Sequence, residues 1–308
     1  MNAQEVLEQK HMALQKVLDL LSCPVCRKKV AYDQEGMQIL CQACDERYPV
    51  KNGVPVMFTG EDGRDVKDLL QSPQGMEMIR EFKKNGLLFK ALNLGKRFVS
   101  SNLVLFDGKR LLEELIREKG ENRRVLEIGA GNRRLNPDVI NLDIEHFENT
   151  DVIGDARRLP FLDESFDLVW IEVVLEHVRR PQEAVAEIHR VLKPGGHVFS
   201  VVPFIHPYHS YPGDYSRFSL EGLEDLFSRF TRKKSGVYRG PSAALVNFLS
   251  DYFSLFSFST DRRIYLLLKA MALCFLFPLK LLDRILVRNP RAHELAHCLF
   301  FLGKKESG

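Results

Sequence analysis

The sequence predicts an α/β chain: a Rossmann-like, doubly wound sheet with a small cysteine-bound module before it and an apolar helical cap near its end. Three observations carry this. Between Arg124 and Phe230 the apolar runs VLEI, VINLDI, DVIGD, FDLVWI and HVFSVV alternate with charged segments, several of them of helical length. That is how buried parallel strands with covering helices read. Four of the six cysteines stand in two tight pairs near the N-terminus. Residues 236–290 are unusually apolar and helix-prone, and HCLFFLGKK after them reads as a last strand.

The elements follow in order. Residues 1–21 predict an amphipathic helix, with Val6, Leu7, Leu14, Val17, Leu18 and Leu21 available to one face. Residues 22–59 change to short strands, cysteine pairs and turn residues. Residues 60–120 are charged and punctuated by glycines, a helical connector. Residues 121–305 form the α/β domain, with 236–290 as the apolar helical cap inserted in it. The chain has 308 residues, 45% of them hydrophobic, enough for two domains with a real core. A net charge of +3 excludes a polyanion partner argued from global charge alone. The N-terminus lacks a continuous apolar stretch and a small-residue cleavage site, so the expectation is a cytoplasmic, soluble protein.

Cys23-Pro-Val-Cys26 and Cys41-Gln-Ala-Cys44 are separated by fourteen residues. Each C-x-x-C turn presents two thiolates to one ion, and two such turns complete a tetrahedral zinc–sulfur shell. Four protein ligands leave no open position, so the expected Zn2+ is structural. It would fold about forty residues that cannot bury an adequate core alone. Redox or incidental cysteines are the simpler alternative. Cys274 and Cys298 lie in apolar runs and read as small core residues. The stretch LLSCPVCRKKV…LCQACDERYPVKNGVPVMF resembles the small zinc-ribbon activator subunit of eukaryotic and archaeal methyltransferases and its short bacterial relatives. The resemblance implies a zinc-ribbon domain that docks on a methyltransferase, here fused to it, or on another protein partner.

Val125-Leu-Glu-Ile-Gly-Ala-Gly131 is a buried strand running into a glycine turn. Glycines there remove the Cβ atoms that would block a ligand against the backbone. The next strand ends in Asp143, where a carboxylate accepts from ribose hydroxyls, and the third ends at Asp155, placed to accept from an adenine amino group. Taken singly, each aspartate is as well read as a turn or N-cap residue.

VLEIGAG, NLDI, GDARRLPFLDESFDLVW, VLEHV and EIHRVLKPGGHVFSVVPF, in this order, resemble the class I S-adenosylmethionine-dependent methyltransferase core. By matching position the resemblance implies that Glu127, Gly129, Ala130 and Gly131 line the methionine and ribose side of S-adenosylmethionine. It implies Asp143 with Ile144 at the ribose, Asp155 with Ala156 at the adenine, and Glu172 beside the sulfonium or the acceptor. Leu192 to Gly196 would form the turn into the fifth strand. Two departures stand out. Arg133 occupies the place where a third glycine is common, and only about a dozen residues separate Gly129 from Asp143. A crossover helix needs at least ten to twelve residues, so a loop is expected there. Arg133 and Arg134 then become candidates to reach a substrate or cofactor carboxylate.

After the fifth strand, PFIHPYHSYPGDYSRF gathers His206, His209, Tyr211, Asp214, Tyr215 and Arg217 at a strand C-terminus, where α/β sheets place their chemistry. His206 and His209 are the candidate catalytic bases and Asp214 the residue that orients them; a rigid aromatic loop is the alternative. The loop also resembles a methyltransferase subset associated with glycan or lipid pathways. Within residues 264–287 the unbroken apolar stretch runs only from Ala270 to Phe277. That is short of a spanning helix. A cap over the substrate pocket is favoured over an interfacial helix whose basic residues across 262–288 touch anionic lipid at the inner face of the membrane.

The expected function is methyl transfer from S-adenosylmethionine to a small-molecule acceptor, lipid- or glycan-related. RNA methylation is the rival, with Arg27, Lys28, Lys29, Arg47 and Lys51 available to phosphates; a solvated ribbon surface explains them equally well. The second rival is a non-catalytic binding module, motivated by Arg133 and the shortened crossover.

Overall fold

A computed structural model describes residues 14–59, 108–119, 123–209, 213–258 and 262–306. The first part of the expected N-terminal helix, most of the expected connector, and Tyr211 lie outside the described residues.

The ribbon is a meander of β1 (Ala31–Asp33), β2 (Gln38–Leu40), β3 (Arg47–Lys51) and β4 (Val54–Met57), each antiparallel to the next. Along β3 exposed residues alternate with buried Tyr48 and Val50, the period of a half-buried strand. Asn52 and Gly53 both take positive φ, 53° and 78°, as a two-residue hairpin turn requires.

Helix α1 (Gly108–Lys119) precedes β5 (Val125–Ile128), β6 (Ile140–Asp143), β7 (Val152–Gly154) and β8 (Phe166–Glu172). Helix α2 (Pro181–Val191) and β9 (Leu192–Pro203) follow, then α3 (Leu220–Leu226), β10 (Thr231–Arg239), α4 (Pro241–Ser254), α5 (Arg262–Leu276), α6 (Asp283–Leu286) and β11 (Cys298–Lys304). The strand order β1-β2-β3-β4-β7-β6-β5-β8-β9-β11-β10 makes one eleven-stranded sheet. Strands β4 through β9 of that order pair in parallel, and β11 is antiparallel to both its neighbours. No helix joins β5 to β6, as the short spacing requires. Helix α2 starts on Pro181, which has no amide proton to leave unpaired, and buries Ala184, Val185, Ile188 and Val191 on one face.

The ribbon is built into the sheet rather than tethered to it. Val56 and Met57 of β4 pair with Ile153 and Gly154 of β7. The Ser22 amide donates to Pro160 O at 3.0 Å and the Leu162 amide to Leu20 O at 2.9 Å. Leu21, Ile39 and Met57 share one buried cluster with Leu142, Val152 and Phe161. The opposite face of the sheet packs Leu115, Trp170, Phe199, Tyr238 and Phe300.

Two expectations are corrected. The cap does not begin at 236: residues 231–239 are strand β10, and helix resumes only at Pro241. β10 is an edge strand whose first four residues are exposed, so its charged TRKK start hides the apolar alternation that marks a strand. The second correction concerns the cap itself. Helix α4 packs on the domain, burying Ala243, Ala244 and Val246 on its inner face, with Asn247 reaching His297 Nε2 at 3.2 Å. The N-terminus of α4 is held by buried Asp283, which accepts from the Ser242 and Ala243 amides at 2.7 and 3.0 Å. Helix α5 rests on α4 instead of on the pocket, Tyr265 Oη donating to Asp251 at 2.7 Å. Leu267, Met271 and Phe275 of α5 face outward, Phe275 at 85% exposure. Ile264–Leu286 is long and apolar enough to cross a membrane by length and composition, and 6% of its apolar window is buried.

Candidate active site and metal centre

The four ribbon thiols converge. Cys23 Sγ lies 3.5 Å from Cys44 Sγ, Cys26 3.4 Å from Cys41, and Cys41 3.5 Å from Cys44. A tetrahedral zinc with bonds near 2.3 Å sets sulfurs about 3.8 Å apart, so the cluster fits that ion with little adjustment. The two turns repeat one geometry: Arg27 and Asp45, each directly after a C-x-x-C, take φ of 61° and 55°. Burial and the neighbouring thiols of Cys26, Cys41 and Cys23 push the Cys44 thiol up to about 12, so a cation is needed for the thiolate form. Arg27, read above as available to phosphate, pairs with Glu187 of α2 at 3.1 Å.

The tips of β7, β6, β5 and β8 are neighbours at one edge of the sheet, which brings Asp155, Asp143, Glu127 and Glu172 to that edge. Gly129 and Gly131 have φ of 73° and 56°, the left-handed region that favours glycine. A Cβ on Gly129 would come within 2.2 Å of Val174 Cγ2, whereas one on Gly131 would meet nothing within 4 Å. The backbone turn is therefore closed from beneath by Val174 and open above Gly131. Asp143, 7% exposed, accepts the Gly131 amide through Oδ2 at 2.9 Å and the Glu145 amide through Oδ1 at 3.1 Å. Burial raises its pKa against those amide bonds.

Arg133 joins the two remaining carboxylates. Its Nη2 donates to Glu127 Oε1 at 2.7 Å and its Nη1 to Glu172 Oε2 at 2.9 Å. Glu127 is fully buried, its Oε2 has no partner among the described residues, and burial raises its pKa in spite of Arg133. Tyr238 Oη donates to Glu172 Oε1 at 3.4 Å, and Arg239 stands 3.8 Å from the same oxygen. The side chain that replaces the usual third glycine is thus a half-exposed guanidinium between two acidic strand tips. Substituting Arg133→Ala leaves Glu127 buried without its cation, which is expected to cost about 2–4 kcal/mol of stability at neutral pH. The loss vanishes below the unfolded carboxyl pKa, where Glu127 is protonated in both states. Thermal melting at pH 7 and pH 3.5 checks it: an equal deficit at both would contradict the assignment.

Two sequence assignments change, and at Asp155 the N-cap alternative is observed. Arg134 faces the loop, donating to Val139 O, Asn149 O and Asp151, and serves structure rather than a ligand carboxylate. The Asp155 carboxylate caps the turn at 156–158 and is paired with Arg157 Nη2 at 2.6 Å, so an adenine would compete with that arginine. Leu192 to Gly196, expected as the turn into the fifth strand, already belongs to β9. Ala130, Ile144 and Ala156 stand beside the carboxylates on this edge, Ala130 and Ala156 buried. Two surface hollows, about 270 Å3 between α2 and α3 and about 470 Å3 beside β10, do not include these residues.

The histidine loop folds as a cluster. The His206 ring lies 4.3 Å from His209 and 4.6 Å from His297. Asp214 accepts the His209 amide at 2.9 Å, stands 3.5 Å from His209 Nδ1, and is gripped by both terminal nitrogens of Arg217. Burial works to raise Asp214, but the Arg217 and His209 bonds overcome it and bring it to about 2. Asp214, expected to orient the histidines, is bonded to the His209 backbone and lies beside its ring. His206 is held by a contact of Nδ1 with Pro207 O at 2.6 Å. Sequence reading missed Glu176 and His177, which follow β8 and lie against His209; an acid–histidine pair just past a strand tip was the available signal.

Comparison with known proteins places a match to the methyltransferase domain over residues 111–200 and to the Trm112p-like protein family over residues 15–53. The ubiquinone/menaquinone biosynthesis C-methyltransferase UbiE of Ruegeria sp. (strain TM1040) is 42% identical over 80 residues, 26% of this chain and 27% of that protein. The demethylmenaquinone methyltransferase of Renibacterium salmoninarum is 38% identical over 93 residues, 30% of this chain and 39% of that protein. A UPF0434 protein of Cupriavidus necator is 33% identical over 60 residues, 20% of this chain and 88% of that protein. The chain thus spans well under half the length of the two quinone methyltransferases and nearly all of the small protein.

Proposed function

Since the chain belongs to the Trm112p-like family through residues 15–53 and carries a methyltransferase domain over residues 111–200, we propose that it transfers a methyl group from S-adenosylmethionine to an amphiphilic, lipid-borne acceptor at a membrane surface. When bound, S-adenosylmethionine supplies an electrophilic methyl group on a sulfonium. The residues of this chain do the rest. The open backbone turn at Gly129–Gly131 would seat the donor and Asp143 would accept from its ribose hydroxyls, while Arg133 holds Glu127 and Glu172 in place beside it. Glu127 and Glu172 give the methionine end and the sulfonium a negative surround. In-line displacement depends mainly on such positioning. An acceptor that carries a proton gives it up toward the histidine loop beyond β9.

The observation that carries the membrane reading is the outward face of 264–286. Phe275, Ile285, Leu267 and Met271 are exposed at 85%, 67%, 56% and 52%, and Phe248 and Phe256 of the adjoining segment at 57% and 58%. Covering six such side chains is worth on the order of 10 kcal/mol, and soluble monomers rarely leave so large a patch bare. Residues 262–291 carry seven lysines and arginines against one acid, Asp283, which is buried. That charge suits anionic headgroups at the cytoplasmic face. One of the matched relatives is named for ubiquinone/menaquinone biosynthesis and the other for demethylmenaquinone methylation, which supports an apolar acceptor. RNA is the weaker reading, since Arg27 is engaged with Glu187. Isotopically labelled methyl donor, incubated with purified protein and fractionated cell extract, tests the proposal. Label should enter the lipid-extractable fraction; label confined to RNA, or to nothing, overturns it.

A further inference from the structure

Beyond β8 the chain turns sharply at Val173, whose φ of 58° is rare for a β-branched residue, and enters a single helical turn ending at His177. That turn buries Glu176 completely, and neither carboxylate oxygen has a hydrogen-bond partner among the described residues. A fully buried carboxylate without donors costs several kcal/mol unless something cationic meets it. What faces it is two imidazoles. His177 Nε2 lies 3.7 Å and His209 Nε2 3.5 Å from Glu176 Oε1, and His209 Nε2 is itself buried without a partner. These separations are too long for hydrogen bonds. They lie at or just above the spacing, about 3.3–3.5 Å, between ligands sharing one tetrahedral cation with bonds of about 2.0–2.1 Å, and all three ligand atoms fall within 4.8 Å of one another.

The far side of the His177 ring is held as a metal-binding imidazole requires. His177 Nδ1 contacts Gly213 O, a pure acceptor, so the proton sits on Nδ1 and Nε2 presents its lone pair to Glu176. His209 Nδ1 lies 3.5 Å from both the Asp214 carboxylate and Arg217 Nη2. A carbonyl behind a ring, as Gly213 O stands behind His177, fixes tautomer and orientation in the same way at established metal sites. We propose that Glu176, His177 and His209 bind a divalent transition metal, a second metal site distinct from the ribbon thiolates. Two imidazoles and one carboxylate select zinc or iron(II) over magnesium, and three protein ligands leave a coordination position open. The two histidine side chains are 14% and 30% exposed, while the Glu176 oxygens and His209 Nε2 lie buried beneath them. On the methyltransferase reading, the open position takes an oxygen of the acceptor; metal binding itself does not depend on that reading.

Cobalt(II) titration of the metal-free full-length protein separates the two sites. The ribbon gives intense near-ultraviolet thiolate-to-cobalt bands, whereas an imidazole–carboxylate site adds only weak visible bands. Wild type should take up two equivalents, one of each signature. Glu176→Gln, and independently His209→Ala, should keep the thiolate bands, showing a folded ribbon, while affinity for the second equivalent falls about 100-fold or more. Uptake of a single thiolate-bound equivalent by wild type, or of two equivalents at unchanged affinity by both variants, overturns the site. Failure of wild type to bind S-adenosylmethionine would count against the methyltransferase reading and leave the cobalt result standing.

Discussion

Replacing Phe275 and Ile285 together by glutamate is expected to weaken binding to anionic phospholipid vesicles about 100-fold or more while leaving the fold intact. The two side chains are 85% and 67% exposed, so neither contributes much to the core. Each apolar side chain of this size is worth about 1.5–3 kcal/mol when covered, and each new carboxylate adds repulsion from the anionic surface. Lowering salt should tighten wild-type binding, because the basic residues of 262–291 act within a Debye length of the headgroups. Vesicle co-sedimentation and circular dichroism on both proteins check this. If wild type ignores vesicles and sediments as a dimer that the variant breaks, a second copy covers the face and the membrane reading fails.

Removing the ribbon metal is expected to reach the methyltransferase sheet. Cys44→Ser deletes one of four ligands to an ion whose binding is worth about 10–16 kcal/mol in small zinc modules. In a tethered ribbon the damage would stay local. Here β4 is hydrogen-bonded to β7, and Leu21, Ile39 and Met57 share a core with Leu142 and Val152. Loss of the ribbon therefore uncovers the β7 edge and part of that core, and a bare parallel edge invites aggregation. Melting temperature should fall by 10 °C or more, on the order expected for several kcal/mol. The amides of Val152–Gly154 should lose hydrogen-exchange protection. A variant that melts like wild type with those amides still protected would show that the ribbon does not support the sheet.

What the sequence made legible was what it encodes locally. The C-x-x-C pairs, the strand–glycine turn before Asp143, the helix-free crossover and the last strand all follow from spacing within a dozen residues or so. What stayed hidden depends on distance along the chain or on context. The Glu127–Arg133–Glu172 network joins side chains 39 residues apart, and only the strand order reveals that Arg133 falls between them. Strand β10 carries no apolar alternation because it is an edge. The apolar segment at 264–287 reads as too broken to span a membrane and as a cap, since Lys269 and Lys280 interrupt it. In the fold Lys269 is paired with Asp251 and Lys280 is buried, which leaves an outer face more apolar than its sequence. Glu176 and His177 read as part of a strand-end motif, and their value as ligands became visible only when the loop after β9 brought His209 to them.

The proposed methyl transfer needs one ligand seated over the strand tips between Gly131, Asp143 and Arg133. Calorimetric titration of S-adenosylmethionine into wild type and Asp143→Ala tests it most directly. Wild type should bind with one site per chain, and the variant should lose about 100-fold in affinity as two buried ribose hydroxyl bonds go and the Gly131 amide loses its partner. Absence of heat from wild type at high micromolar cofactor, or equal affinity in the two proteins, would contradict the proposed site.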